Sequence, residues 1–128
     1  VLASCDGKEI ALVHAGWRGL ANGILERVVE KFKSTELQAW LGPAIGPCHY
    51  EVDHKVRDSF QNDEGFVKGR DSQHWMFDLC EQARSQLLVQ GVSSVTASGI
   101  CTACDDRFYS HREMSPTGRF GIFLWKTH

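Results

Sequence analysis

Apolar residues recur at helical spacing over the range Leu20–Phe32, and charged residues occupy the remaining positions. This pattern predicts an amphipathic helix packed on a sheet. A second helix is predicted to begin after Asp78, because Glu81 follows three residues later as in a capping box, and to end near Gly91. A shorter helix is predicted over residues 53–61.

Short apolar segments between these helices predict strands. Leu2–Ser4 and Glu9–His14 flank an Asp-Gly turn, which predicts an antiparallel hairpin. Residues 62–65 and 68–72 are rich in turn-forming residues and predict exposed loops. Three further strands are predicted: Gln38–Leu41, Val92–Ala97 and Phe120–Trp125. The alternation of strands and helices predicts one α/β domain, with helices packed on a mixed sheet in a three-layer-like arrangement.

Composition narrows the class of protein. The 128 residues are 42% hydrophobic, and 14 basic and 16 acidic residues are interspersed to a net charge of -2, so we expect no nucleic-acid partner. No apolar run approaches the roughly 20 residues of a membrane span, and the start lacks a signal peptide, which favours a cytoplasmic location. Five cysteines, an odd number, predict free thiols. Because strand-like sequence begins at Val1, we expect a piece of a longer protein.

The segment His14-Ala-Gly-Trp-Arg-Gly19 follows an apolar strand and opens a helix. Such a turn presents side chains at the carboxyl edge of a sheet, where ligands commonly bind. His14 is a candidate metal ligand or general base, although a core histidine is the commoner outcome. Arg18 is suited to binding an anion, but it is also suited to an ordinary surface ion pair.

The cysteines give weaker signals. Cys101-Thr-Ala-Cys104 has a spacing that suits zinc or a redox pair, but no second pair at zinc-ribbon spacing accompanies it. We therefore expect two buried or unpaired thiols there. Cys48 and His49 are adjacent, and adjacent side chains usually point apart, so joint ligation is not expected.

Two other segments add candidates for binding. Residues 42–48 contain two glycines and two prolines and predict an irregular loop that lines a site. Phe108-Tyr-Ser-His-Arg112, followed by Thr117-Gly-Arg119, combines aromatic, imidazole and guanidinium groups. This segment and the His14 turn are expected to face one pocket.

These motifs occur in the same order as in a known family. The His14–Leu20 motif, the Leu41–Pro47 loop with Tyr50-Glu-Val52, and the Phe108–Arg119 segment resemble the bacterial laccase-domain family, formerly called polyphenol oxidases. The resemblance covers essentially the whole chain, which corresponds to the carboxyl-terminal half of a family domain. It implies purine nucleoside phosphorylase activity on adenosine, inosine, guanosine and methylthioadenosine, with adenosine deaminase activity.

The resemblance also implies roles for individual residues. His14 corresponds to one of three protein ligands of a catalytic zinc ion, whose other two ligands are expected upstream of Val1. A zinc ion with one open position activates a water molecule at neutral pH. We assign Arg18, His111 and Arg112 to binding the nucleoside and inorganic phosphate. With one ligand of three, these residues alone are expected to bind zinc poorly and to be inactive.

Two alternatives remain open at this stage. The older family name implies a copper-dependent polyphenol oxidase, but the six histidines form no His-x-His pair of the kind that multicopper sites use. The other alternative is a noncatalytic purine-binding domain. No membrane partner is expected, and the oligomeric state is not predicted.

Overall fold

The computed structural model describes residues 1–112 and 116–127. Its strands and helices follow one another along the chain as β1 (Leu2–Ser4), β2 (Ile10–Ala11), α1 (Trp17–Ala21), α2 (Ile24–Val29), β3 (Leu37–Leu41), β4 (Glu51–Asp53), α3 (His54–Arg57), β5 (Phe66–Lys68), β6 (His74–Phe77), α4 (Leu79–Val89) and β7 (Ser94–Ala97).

The first sheet is mixed and has the strand order β2-β1-β3-β7. Strand β1 is antiparallel to both β2 and β3, and β3 is parallel to β7. The predicted hairpin is confirmed, with Gly7 at φ 72° in its turn. Its second strand ends at Ala11, so His14 lies in the segment without regular secondary structure that follows. The mixed sheet and the single α/β domain are both confirmed.

A second, antiparallel sheet has the order β4-β6-β5 and was not predicted. Strand β5 follows the first segment predicted as a loop and includes Lys68, the first residue of the second, and it pairs with β6 in the register Val67↔Met76. Its turn passes so close to β6 that a Cβ on Gly69 would lie 2.4 Å from the His74 carbonyl oxygen. Only glycine allows that approach, so the glycine that indicated a loop in the sequence instead permits a tight hairpin.

The helices agree with the prediction to different degrees. Helix α4 begins as predicted, with the Asp78 carboxylate accepting a hydrogen bond from the Glu81 backbone N–H at 2.9 Å. The single helix predicted over Leu20–Phe32 is wrong, because Gly23 adopts a left-handed conformation (φ 74°) and separates α1 from α2. Helix α3 is only four residues long, with Asp53 as its N-cap.

The strand predicted over Phe120–Trp125 is wrong. Residues 116–127 have no regular secondary structure, and no strand in the described part of the chain pairs with them. Alternating apolar residues form a strand only where a neighbouring backbone supplies hydrogen bonds. Phe123 and Trp125 are accordingly 81% and 73% exposed.

An aromatic cluster joins the second sheet to the rest of the core. Phe77 is completely buried and stacks on Phe66 with ring centroids 4.2 Å apart. Phe60 and Tyr50 contact the same ring at centroid distances of 5.3 and 5.9 Å. The buried position of Tyr50 is therefore set by core packing. Within residues 1–112 and 116–127, no helix has the length and apolar character of a membrane span.

Candidate functional site

A cavity of about 520 Å³ lies beside the first sheet. His14, which follows β2, and residues 42–45, which follow β3, line one part of it, while Tyr109 and His111 line another. The remaining lining is mainly apolar and includes Trp40. The predicted common pocket is thus formed by His14 and His111, with a volume in the range of small-molecule sites.

Arg18 and Arg112 do not line this cavity. The Arg18 guanidinium lies over the Trp17 ring, 4.5 Å from its centroid. The Arg112 guanidinium lies over the Tyr50 ring at 5.1 Å, and its Nη1 donates a hydrogen bond to the Glu51 carbonyl at 3.3 Å. Both arginines are solvent-exposed. The adjacent residues His111 and Arg112 therefore lie on different surfaces: His111 lines the cavity, and Arg112 lies over the Tyr50 ring.

Arg18 and Arg112 both influence the pKa of the buried Tyr50 hydroxyl. Burial raises the pKa of Tyr50, while the positive charges of Arg112 and, more weakly, Arg18 oppose that rise because they favour the phenolate. Among the described residues, no carboxylate forms an ion pair with Arg18 or Arg112. Two cationic groups without a carboxylate partner near one hydroxyl form a suitable environment for an anion.

The described residues do not complete the zinc site implied for His14. Over residues 1–112 and 116–127, no group of three or more potential metal-ligating side chains includes His14. One imidazole does not hold a catalytic zinc ion, which takes three protein ligands. The residues present therefore do not fit a complete zinc site at this position, and the role of His14 as a ligand stays a prediction.

A metal-ligating cluster lies elsewhere, where none was expected. The ligand atoms of Cys48, His49, Cys101 and Cys104 all lie within 4.8 Å of one another. The expectation that Cys48 and His49 point apart is wrong, because they lie in a turn in which the His49 N–H donates to the Gly46 carbonyl at 3.1 Å. Alternation of side chains applies to strands and not to turns. Cys101 and Cys104 are free thiols, as expected, but neither is fully buried and both lie beside Cys48 and His49.

Backbone contacts bring the two halves of the cluster together across the chain. Ala44 and Cys101 form a parallel bridge, and the Thr102 N–H donates to the Ala44 carbonyl at 3.0 Å. The Cys104 N–H donates to the Cys101 carbonyl at 3.1 Å and closes the second turn. The spacing of Cys101 and Cys104 was the visible signal in the sequence, whereas nothing local indicated that Cys48 would lie beside them.

The thiols of this cluster have shifted pKa values. Partial burial acts to raise the pKa of Cys101, but hydrogen bonds from the backbone N–H groups of Gly46, Ala103 and Cys104 and from the Cys48 thiol lower it to about 6. The pKa of Cys104 is raised to about 12, because its hydrogen bonds to Cys48 and Cys101 favour the protonated form. Because ionisation of one thiol disfavours ionisation of its neighbours, these cysteines belong to one site.

Comparison with known proteins places the chain in a family. Residues 1–127 match the model of the family described as multi-copper polyphenol oxidoreductase laccase. A purine nucleoside phosphorylase of Xylella fastidiosa is 46% identical over 135 residues, which cover 98% of this chain and 52% of that protein. The purine nucleoside phosphorylase YfiH of Escherichia coli is 38% identical over 125 residues, covering 93% and 51%.

Solved structures agree with this assignment. Protein NMB0706 of Neisseria meningitidis superimposes with a TM-score of 0.82 and 34% identity, over 88% of this chain and 49% of that one. YlmD of Geobacillus stearothermophilus superimposes with a TM-score of 0.68 and 35% identity, over 79% and 43%. The chain spans about half the length of the curated relatives it matches. On the match over residues 1–127 and on these identities, the chain belongs to the multi-copper polyphenol oxidoreductase laccase family.

Proposed function

We propose that the intact protein to which these residues belong is a purine nucleoside phosphorylase. The observation that carries the proposal is the cavity shared by His14 and His111, in a chain whose relatives bear that name. The proposed substrates are adenosine, inosine, guanosine and methylthioadenosine, together with inorganic phosphate. Because the chain spans about half of those relatives, the activity is proposed for the intact protein.

The cavity suits the nucleoside. Its volume of about 520 Å³ is sufficient for a purine with its ribose. Trp40 and Ile45 provide apolar wall for the flat base, while His14 and His111 are the imidazoles able to hydrogen-bond the polar edges. We assign His111 to substrate binding and not to essential acid catalysis.

The arginine pair suits the second substrate. In phosphorolysis a phosphate oxygen attacks C1′ of the ribose, the C1′–N9 bond breaks, and its electron pair leaves with the purine. The proton of hydrogenphosphate ends on the purine, so the products are the free base and ribose 1-phosphate. Arg18 and Arg112, near the Tyr50 hydroxyl, would hold the phosphate dianion by charge-assisted hydrogen bonds. Tyr50 is fixed in place by its packing on Phe77.

Zinc dependence and adenosine deaminase activity form the finer part of the proposal. They rest on the resemblance of His14-Ala-Gly-Trp-Arg-Gly19 to the family motif. His14 would supply one imidazole ligand, and the remaining ligands would come from outside these residues. A bound zinc ion would supply an activated water molecule for deamination. The role of His14 is tested by His14→Ala in the intact protein, which is expected to lose one equivalent of tightly bound zinc.

The enzyme assay tests the proposal directly. The intact protein is given inosine with and without phosphate, and hypoxanthine and ribose 1-phosphate are measured. Hydrogen bonds to charged groups contribute about 1.5–3 kcal/mol, so Arg18→Gln and Arg112→Gln should each raise the KM for phosphate by roughly 10- to 150-fold. Arg84→Gln is the matched control, because Arg84 pairs with Glu81 and is not among the residues that line the cavity. Absence of phosphate-dependent product would refute the proposal.

A copper-dependent polyphenol oxidase is the second candidate, favoured by the description of the family as multi-copper oxidoreductases and by the soft thiolate ligands of the cysteine cluster. It predicts oxygen consumption with a phenol that rises with copper loading and persists after zinc is removed. A noncatalytic purine-binding domain predicts purine affinity without turnover. We propose a cytoplasmic location, in agreement with the five free cysteines.

A further inference from the structure

The metal-ligating cluster found among the described residues consists of Cys48, His49, Cys101 and Cys104, and none of these residues lines the cavity. We propose that these four side chains bind a structural zinc ion, separate from the zinc expected at His14. The inference does not depend on the proposed phosphorylase activity, because it rests on the geometry of the cluster alone.

The distances between the sulfur atoms fit tetrahedral zinc. With Zn–S bonds of about 2.3 Å, two thiolates on a tetrahedral zinc ion lie about 3.8 Å apart. The Cys48 sulfur lies 3.6 Å from that of Cys101 and 3.4 Å from that of Cys104. A disulfide requires about 2.05 Å between sulfurs, so these thiols are arranged around a common centre and not bonded in pairs.

The imidazole completes the coordination set. His49 Nδ1 lies 3.3 Å from the sulfurs of Cys48 and Cys104 and 4.0 Å from that of Cys101. An imidazole nitrogen and a thiolate on the same zinc ion are separated by about 3.5 Å, given Zn–N of about 2.0–2.1 Å. Three sulfurs and one nitrogen therefore surround a single point at ligand distances, which is the Cys₃His set of structural zinc sites.

The surroundings of the cluster support thiolate ligands. The Gly46 N–H donates a hydrogen bond to the Cys101 sulfur at 3.1 Å. Such contacts orient metal ligands and stabilise their charge. A Cβ on Gly46 would lie 3.2 Å from the Cys101 Cβ and 3.3 Å from its sulfur, so glycine permits this close approach.

Four protein ligands leave no open position, which indicates a structural ion and not a catalytic one. The ion would join the loop that carries Cys48 to the turn that carries Cys101 and Cys104. Residues 42–45 of that loop line the cavity, as do Tyr109 and His111 beyond the turn. The zinc would therefore fix two walls of the cavity relative to each other.

The experiment measures zinc in the intact protein carrying His14→Ala, so that the cluster is the site observed. We expect one zinc per chain by elemental analysis, its loss in Cys48→Ser and in Cys104→Ser, and its retention in the matched control Cys5→Ser, which changes an exposed cysteine outside the cluster. Cobalt substitution should give the strong visible absorption of a tetrahedral thiolate site, weakened in Cys48→Ser. Zinc retained in both cluster variants would overturn the proposal.

A measurement without cluster variants guards against misfolding. The His14→Ala protein is treated with an alkylating agent before and after chelation, and each modified cysteine is identified by mass spectrometry. We expect Cys48, Cys101 and Cys104 to be protected until the metal is removed, and Cys5 to react in both samples. Equal reactivity before and after chelation, or a disulfide among the three, would refute a structural zinc site.

Discussion

Replacing Phe77 by leucine tests whether the aromatic cluster beneath Tyr50 stabilises the fold. Phe77 is completely buried and contacts three aromatic rings, with Phe66 stacked at 4.2 Å and an interplanar angle of 7°. The substitution keeps most of the apolar volume but removes the ring contacts. Aromatic pairs contribute about 0.5–1.5 kcal/mol each beyond the area they bury, so three pairs predict a loss of about 2–4 kcal/mol. That is a large fraction of a typical stability of about 5–15 kcal/mol.

The assay is urea unfolding followed by tryptophan fluorescence. We expect a lower midpoint with an unchanged dependence on urea, which indicates a change in stability and not in the extent of unfolding. Phe123→Leu is the matched control, because Phe123 is 81% exposed, and it should change the free energy of unfolding by less than about 0.5 kcal/mol. A Phe77→Leu protein as stable as wild type, or a control that loses as much, would refute the reasoning.

Three further changes test local features of the fold. Asp78→Ala removes the N-cap of α4 and should cost about 1 kcal/mol in the same unfolding assay, and an unchanged midpoint would contradict the cap. Gln82 is completely buried, and its side-chain amide has no hydrogen-bond partner among the described residues. Gln82→Leu should therefore stabilise the protein by about 1–3 kcal/mol. A less stable Gln82→Leu protein would instead show that the amide has a hydrogen-bond partner. A hydrogen bond from Ser4 and contacts with Lys8 lower the pKa of Asp6 from 3.8 to about 2. The stability that the Asp6 carboxylate gives the folded protein should therefore be lost as pH falls through that range. An unfolding midpoint that depends on pH as strongly in Asp6→Asn as in wild type would contradict this role of Asp6.

The elements that could be predicted from the sequence are those specified by local chemistry. The Asp-Gly turn determines the first hairpin, and Asp78 with Glu81 determines the start of α4. Both signals lie within a few residues of the structure they create. Gly23 was also visible within the predicted first helix, but periodicity alone did not show that it would adopt a left-handed conformation and divide the helix.

The second sheet and the cysteine cluster depend on contacts between distant residues. Strand β4 has only three residues, and its partner β6 begins about twenty positions later, so neither has a strong local pattern. Cys48 lies beside Cys101 because the Ala44–Cys101 bridge joins two loops. Sequence spacing does not reveal a metal site whose two halves meet only through tertiary structure.

The candidate site was predicted in part. Sequence reasoning placed His14 and His111 in one pocket, and the cavity confirms that they share it. It also expected Arg18 and Arg112 at the substrate, and the structure places both beside Tyr50, outside the cavity lining. His111 lines the cavity whereas Arg112 lies over the Tyr50 ring, and the sequence of the segment did not indicate this difference.

The intact protein is proposed to transfer the ribosyl group of purine nucleosides to phosphate, and identifying the sugar product tests this most directly. Inosine and phosphate are incubated with the intact protein in isotopically labelled water, and the sugar product is analysed by mass spectrometry. The account predicts hypoxanthine with an equal amount of unlabelled ribose 1-phosphate, and no hypoxanthine when phosphate is omitted. Free ribose carrying the label from water, or no release of hypoxanthine in the presence of phosphate, would contradict it.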